Sequence, residues 1–258
     1  MRVVVIGGGA AGFFSAINIA EKHPDWKITI LEKSSKLLSK VKVSGGGRCN
    51  VTNGRSAPAE LVPFYPRGNK KLYSVFKQFS TLDMVDWLSQ RGVSTHMEED
   101  LRMFPSTDNS QTIIDCFLDQ CKKLNITIKT NWSLDQITQV GAKWLIKSTA
   151  ESLIADKVVI ATGSSPASWK TLQKVGFKIT NPVPSLFTFN IKDERINGLM
   201  GLTFPNASVK ITNTKLEESG PMLITHWGLS GPAILKLSSW SARELHQINY
   251  KFSILINF

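Results

Sequence analysis

A short apolar run that ends in glycines constrains this chain more than any other feature. Val3-Val4-Val5-Ile6 leads directly into Gly7-Gly8-Gly9-Ala10-Ala11-Gly12. A fully apolar, β-branched run bounded by glycine reads as a central strand buried on both faces. The glycines match the pattern GxGxxG through Gly7, Gly9 and Gly12. Gly7 permits the tight turn, Gly9 leaves room for a pyrophosphate against the backbone, and Gly12 lets the next helix pack closely on the strand. Residues 10–22 carry Phe13, Phe14 and Ile17 at helical spacing, and Pro24-Asp25 ends them. The first turn of that helix, with Ala11 in it, offers free N–H groups and a partial positive charge to phosphates. Trp26–Glu32 reads as a second strand, which completes a strand–helix–strand unit. Glu32 lies 20 residues beyond Gly12, where a carboxylate accepts hydrogen bonds from ribose hydroxyls and repels a 2′-phosphate. Lys33 follows it. The expectation is a bound dinucleotide without a 2′-phosphate.

A second glycine-rich stretch is Ser44-Gly45-Gly46-Gly47-Arg48-Cys49-Asn50-Val51-Thr52-Asn53. Three consecutive glycines are costly in backbone entropy. They suit a backbone that must pass close to something flat or anionic. Arg48 offers a planar set of donors for an anion or for the pyrimidine edge of a reduced flavin. Cys49 near a flavin would need a lowered pKa to act as a redox thiol, an effect expected beside Arg48. The plainer account is an isolated reduced thiol. Cys49, Cys116 and Cys121 form no CxxC pair and no metal-ligand spacing, so neither a dithiol centre nor a metal is expected.

The rest of the chain reads as helices over 70–79, 81–91 and 111–124, with Ser110 ahead of the last. Short β-type runs follow at 126–130, 134–140, 143–149 and 153–161, three of them in close succession suggesting an antiparallel meander. Val158–Ala161 is again fully apolar, and Ala161-Thr162-Gly163 closes it. From about residue 186 the pattern is short strands with Gly and Pro turns. The expected division is a dinucleotide-binding domain over 1–186 and a β-rich domain over 187–258. His226, in a glycine-flanked turn, is a candidate proton donor to a carbonyl or enone; a histidine bonded structurally to its loop is the plainer account. His96 and Glu98-Glu99-Asp100 read as a solvated acidic turn.

The chain carries 31 Lys and Arg against 20 Asp and Glu, a net charge of +11. These charges are scattered rather than blocked, which favours a solvated basic surface and argues against nucleic acid as a partner. No apolar run is long enough to span a membrane, and the N-terminus lacks a signal peptide's apolar region, so a cytoplasmic protein is expected.

Taken together, GxGxxG, the Glu32 spacing and Ser44–Asn53 resemble the HI0933-like flavoproteins, also called BaiN- or YhiN-type NAD(P)/FAD-dependent oxidoreductases. Met103-Phe104-Pro105-Ser106, Ala161-Thr162-Gly163 and Thr225-His226-Trp227-Gly228-Leu229-Ser230-Gly231-Pro232 match further motifs of that family in order. Ser164 stands where the family commonly has a third glycine. The resemblance implies an α/β fold: a Rossmann-like, glutathione-reductase-like FAD domain with a β-meander, plus the start of a β-rich insert. It implies FAD held by Gly7, Gly9, Ala11, Gly12, Glu32, Lys33, Ser44, Gly45, Gly46, Gly47, Arg48, Cys49, Asn50, Ala161, Thr162 and Gly163. It also implies NAD(P)H as a transient electron donor and a small unsaturated or carbonyl-bearing substrate. Family members run on to a C-terminal return over the flavin, so a truncated chain is expected. The alternatives are an RNA-associated flavoprotein of the tRNA-modification kind and a truncated non-catalytic relative.

Overall fold

A computed structural model describes residues 1–258, which divide into two compact units, 1–179 and 180–258. The first opens with β1 (Arg2–Ile6), α1 (Ala10–Lys22) and β2 (Lys27–Leu31). Next come α2 (Ser39–Val43), a 3-10 turn (Ser44–Gly47), β3 (Thr52–Asn53), α3 (Pro58–Leu61), α4 (Asn69–Phe76) and α5 (Thr81–Ser89). The hairpin of β4 (Thr95–Met97) and β5 (Arg102–Pro105) leads to α6 (Ser110–Lys123) and β6 (Thr127–Lys129). The unit ends with β7 (Gln136–Val140), β8 (Lys143–Lys147), β9 (Ser152–Ala155), β10 (Lys157–Ile160) and α7 (Pro166–Lys174).

The main sheet has the order β10-β1-β2-β6, and every pairing in it is parallel. β1 is central, with Val4 opposite Val158 on one side and Thr29 on the other. Its side chains alternate between two cores. Val3 and Val5 pack with Phe13, Ile17, Leu88 and Phe117 of the helical layer. Val4 and Ile6 pack with Trp132, Ile137 and Ile146 beside the antiparallel meander β7-β8-β9. A register slip of one residue would exchange both sets at once. Both sets would stay buried, but the slip would carry Arg2 into the place of Val3 or Gly7 into that of Ile6, burying a charge or leaving a void. The register of β1 therefore fixes where Gly7 emerges.

Local details sharpen the sequence expectations. α5 begins with a capping box: the Ser80 amide donates to Asp83 Oδ2 at 2.7 Å. Asn109, not Ser110, caps α6, its Oδ1 accepting from the Gln111 amide at 2.9 Å. Ser110 lies inside the helix, buried, and donates to the Lys42 carbonyl. The run expected over 153–161 breaks at Asp156, because β9 pairs with β8 while β10 joins the main sheet beside β1. α7, capped by Ser165 with Pro166 behind it, was not expected from the sequence.

The second unit is an antiparallel sheet of β11 (Phe189–Asn190), β12 (Thr203–Ile211), β13 (Glu217–Thr225), β14 (Gly228–Ser230) and β15 (Ile254–Asn257). Its order is β11-β14-β13-β12-β15. Two helices, α8 (Pro232–Trp240) and α9 (Ala242–Gln247), add a layer that the sequence reading lacked. Ile234, Leu237 and Leu245 pack with Val209, Met222 and Ile224 of the sheet. No helix is long and apolar enough to cross a membrane.

Candidate functional site

The turn after β1 is crowded by its own chain at two glycines and open at a third. Gly7 has φ +118°, and a Cβ on it would stand 2.3 Å from the Ala161 carbonyl oxygen. A Cβ on Gly12 would stand 1.9 Å from the Gly7 carbonyl oxygen. Both positions demand glycine for internal reasons. A Cβ on Gly9 would meet nothing within 4 Å. The clearance at Gly9 serves no packing contact within the chain. α1 starts there with no side-chain cap and no acidic residue in its first turn. Its orphan amides stay available to an anion.

Glu32 stands at the end of β2, against this turn. Its Oε2 accepts from the Gly8 amide at 2.8 Å, and its Oε1 accepts from the amide and hydroxyl of Ser34, both at 2.9 Å. Burial pushes its pKa up, but the bonds from Ser34 and Gly8, with the Lys33 charge, outweigh burial and hold it below the ordinary range. The side chain is therefore a carboxylate at neutral pH. A carboxylate has about four acceptor sites, so three donors leave capacity for a hydroxyl. Lys33 itself is exposed. Ala161-Thr162-Gly163 continues from β10. The Ala161 amide donates to Ile6 at 2.8 Å, and Gly163 takes φ +58°. GxGxxG, Glu32 and this segment thus converge at the C-terminal edge of the parallel sheet, the usual ligand crevice of such sheets.

The Ser44–Asn50 loop is joined to the turn through its stem, where the Leu38 amide donates to the Gly8 carbonyl at 2.9 Å. Gly45, Gly46 and Gly47 all take left-handed φ values of 56°, 69° and 90°. That conformation, rather than crowding, requires the last two glycines, since a Cβ on Gly46 or Gly47 would meet nothing within 4 Å. The Ser44 hydroxyl donates to Val41, and the Cys49 amide donates to Ser44. The Asn50 amide, in the orientation that satisfies its neighbours, donates to the carbonyls of Thr52 and Met103.

Two expectations about this loop are corrected. Arg48 does not present a free guanidinium. Both of its terminal nitrogens donate to Glu98 Oε1 at 2.8 and 2.7 Å, Asp108 lies 3.4 Å away, and its Cζ stacks 3.8 Å from the centre of the buried Phe104 ring. Glu98 is accordingly not part of a merely solvated turn: it holds Arg48 on one side and Arg102, at 3.0 Å, on the other. The pairing spans 50 residues of sequence, which no local pattern reveals. Cys49 does not have a lowered pKa either. Burial pushes its thiol up, only partly offset by the Ser44 hydroxyl. Burial raises Cys116 as well and lifts Cys121 to about 12. All three are free and buried.

His226 belongs to the second unit. Thr225 pairs with Gly228, so His226 and Trp227 form a two-residue hairpin tip between β13 and β14. Both are exposed, their rings edge-on at 4.1 Å. A Cβ on Gly228 would stand 2.2 Å from the Phe189 carbonyl oxygen, and one on Gly231 would stand 2.8 Å from that of Pro221. Gly231 also starts α8, with Pro232 at its first turn. His226 lines a polar cavity of about 660 Å³ together with Lys192, Asp193, Asn197 and Thr225. Asp193 is held by Arg195, which lowers its pKa to about 2.

Residues 1–234 match the family model described as HI0933-like protein Rossmann domain. Over 258 residues the chain is 28% identical to the ribosomal RNA dihydrouridine synthase of Escherichia coli (strain K12), covering 95% of this chain and 62% of that protein. It is 24% identical over 261 residues to the protein of the same name from Haemophilus influenzae, covering 95% of this chain and 63% of that one. It is 22% identical over 256 residues to the 3-dehydro-bile acid delta(4,6)-reductase of Clostridium scindens, covering 95% of this chain and 62% of that protein. The chain thus spans a little under two thirds of the length of these relatives.

Proposed function

The chain belongs to the HI0933-like family, and from that premise we propose that it binds FAD and serves an oxidoreductase that saturates a carbon–carbon double bond conjugated to a carbonyl. The observation that carries this reading is the cleared backbone at Gly9, between an uncapped helix N-terminus and the ionised Glu32. Gly9 and the first-turn amides of Ala10 and Ala11 would hold the pyrophosphate, and Glu32 the adenosine ribose. The backbone of Gly45–Gly47 would lie against the flavin ring. Arg48 acts as a positioning residue, since its stack on Phe104 and its bond to Glu98 brace the loop from behind. Bound FAD would supply hydride chemistry between a nicotinamide dinucleotide and the substrate.

The names of the relatives support one reaction class. Dihydrouridine is uridine with its C5=C6 bond saturated, and that bond is conjugated to the C4 carbonyl. A 3-oxo steroid with double bonds at positions 4 and 6 presents the same electronic arrangement. In either, a hydride arriving at the far carbon of the conjugated system sends charge to the carbonyl, and a proton must then be delivered. His226 is our candidate donor, as an exposed imidazole lining a polar cavity.

An absorbance spectrum of the purified protein tests the first step, followed by anaerobic titration with NADH and NADPH in turn. The expected result is a flavin spectrum that bleaches with one of the two. Protein that stays colourless after refolding with FAD would sink the reading. A second reading narrows the substrate to a uracil ring within RNA. The names of the E. coli and H. influenzae relatives favour it. Incubation of the reduced protein with unmodified ribosomal RNA, read by a gain of two mass units on a uridine, separates it from action on a small free enone.

A further inference from the structure

Residues 55–79, which follow the glycine-rich loop in the first unit, carry an unusual surface. Five bases stand here (Arg55, Arg67, Lys70, Lys71 and Lys77) against one acid, Glu60. Five aromatic residues alternate with them: Phe64, Tyr65, Tyr73, Phe76 and Phe79. These rings are not in a core. Phe64 is 57% exposed, Tyr65 39% and Tyr73 38%, and α4 contains no buried residue. Leu72 and Phe76 are half-buried, whereas Lys70, Tyr73 and Lys77 are exposed and recur at the 3,4 spacing that puts them on one helical stripe. The Lys77 Nζ stands 4.7 Å from the centre of the Tyr73 ring, and the Arg55 guanidinium stands 4.3 Å from that of Phe64. Cations thus flank upright rings rather than a continuous apolar face.

We propose that this surface binds single-stranded RNA, with unpaired bases stacking on Tyr73 and Phe64 and phosphates meeting Lys70, Lys71 and Lys77. Alternating cations and exposed rings are what an unstacked strand requires: the rings take bases of any sequence and the lysines track the backbone. A membrane surface would call for a contiguous apolar face on α4; Leu72 and Phe76 are instead half-buried, and the exposed Val75 has Lys71 one turn before it. The surface is also continuous with the candidate site. The Arg55 amide donates to Asn53 Oδ1 at 3.0 Å, and Asn53 ends the glycine-rich loop. A strand held here would be delivered to that loop. The inference rests on the reading that the reduced ring is a uracil of RNA.

The test uses the full chain and a fluorescently labelled, uridine-rich single strand, with anisotropy measured over a series of salt concentrations. The triple variant Lys70→Gln/Lys71→Gln/Lys77→Gln should lower the slope of log affinity against log salt by about 2, since each phosphate contact on a single strand contributes about 0.7. Tyr73→Ala should weaken binding about tenfold at unchanged slope. Lys122→Gln/Lys123→Gln, at the far end of α6, should change neither. Equal affinity and slope in the wild type and the triple variant would overturn the proposal, as would binding to anionic vesicles in place of RNA. The flavin spectrum of each variant keeps the two readings apart. A yellow, reducible protein whose RNA binding ignores these substitutions loses the surface and keeps the cofactor. A colourless protein that binds RNA through these residues loses the cofactor and keeps the surface.

Discussion

The turn at Gly7–Gly12 and the hairpin at Thr225–Pro232 look alike in sequence, each a glycine-punctuated motif, yet they answer to different demands. In the hairpin both glycines are required by the chain itself: backbone oxygens of Phe189 and Pro221 occupy the space beside Gly228 and Gly231. In the turn the same is true of Gly7 and Gly12, but Gly9 faces open space. A glycine filled by its own backbone speaks of folding. A glycine with nothing beside it and no left-handed φ, as at Gly9, leaves room for a ligand. Gly46 and Gly47 fall between the two, since their left-handed φ requires glycine and their surroundings are open.

Breaking that comparison produces its largest effects at the filled positions. Gly7→Ala and Gly228→Ala should each cost about 3 kcal/mol or more, because a Cβ meets backbone and not a side chain that can move. Denaturant melts of each variant measure this; a loss within the ordinary surface range would show that these turns relax. Gly9→Val should leave the melt nearly unchanged and weaken FAD binding about 100-fold, or ~2.7 kcal/mol. A variant that binds FAD normally would mean that the clearance at Gly9 holds no phosphate.

The smallest effect is the most diagnostic. Glu32→Gln keeps the shape of the side chain and removes its charge, and should weaken FAD binding about tenfold. Glu32 has a depressed pKa, so its stabilisation is present above the ordinary glutamate value of 4.5 and is lost as pH falls through the lower folded value. The melting temperature of the wild type should therefore fall more steeply than that of the variant on acidification below about pH 4.5. Parallel curves would place the source of the acid sensitivity elsewhere.

How much of this was legible in the sequence follows from the range of the interactions. The strand–helix–strand unit and Glu32 could be read because glycines, period and spacing are local. α8 was missed because Gly231-Pro232 reads equally as a turn, and in fact starts a helix by serving as its cap and first residue. Arg48 was misread for a different reason. Its donors looked free because Glu98, Asp108 and Phe104 are distant in sequence and meet it only when β5 pairs with β3 and β4. The raised pKa of Cys49 has the same origin: burial is a tertiary property, and only the Ser44 hydroxyl offsets it.

The alternation of β1 between two cores has a consequence for how the molecule opens. Its amides are flanked by β10 and β2, and both of its faces are covered. Such a strand exchanges its amide hydrogens only when the whole unit unfolds. Gly7 continues directly from it, and its amide donates to Leu31 at 2.8 Å. The cradle is thus anchored on the part of the unit that opens last, while the exposed α4 surface belongs to a part free to fray. A ligand at Gly9 would find its seat already assembled, and hydrogen exchange in that strand would slow on binding only through the rise in global stability.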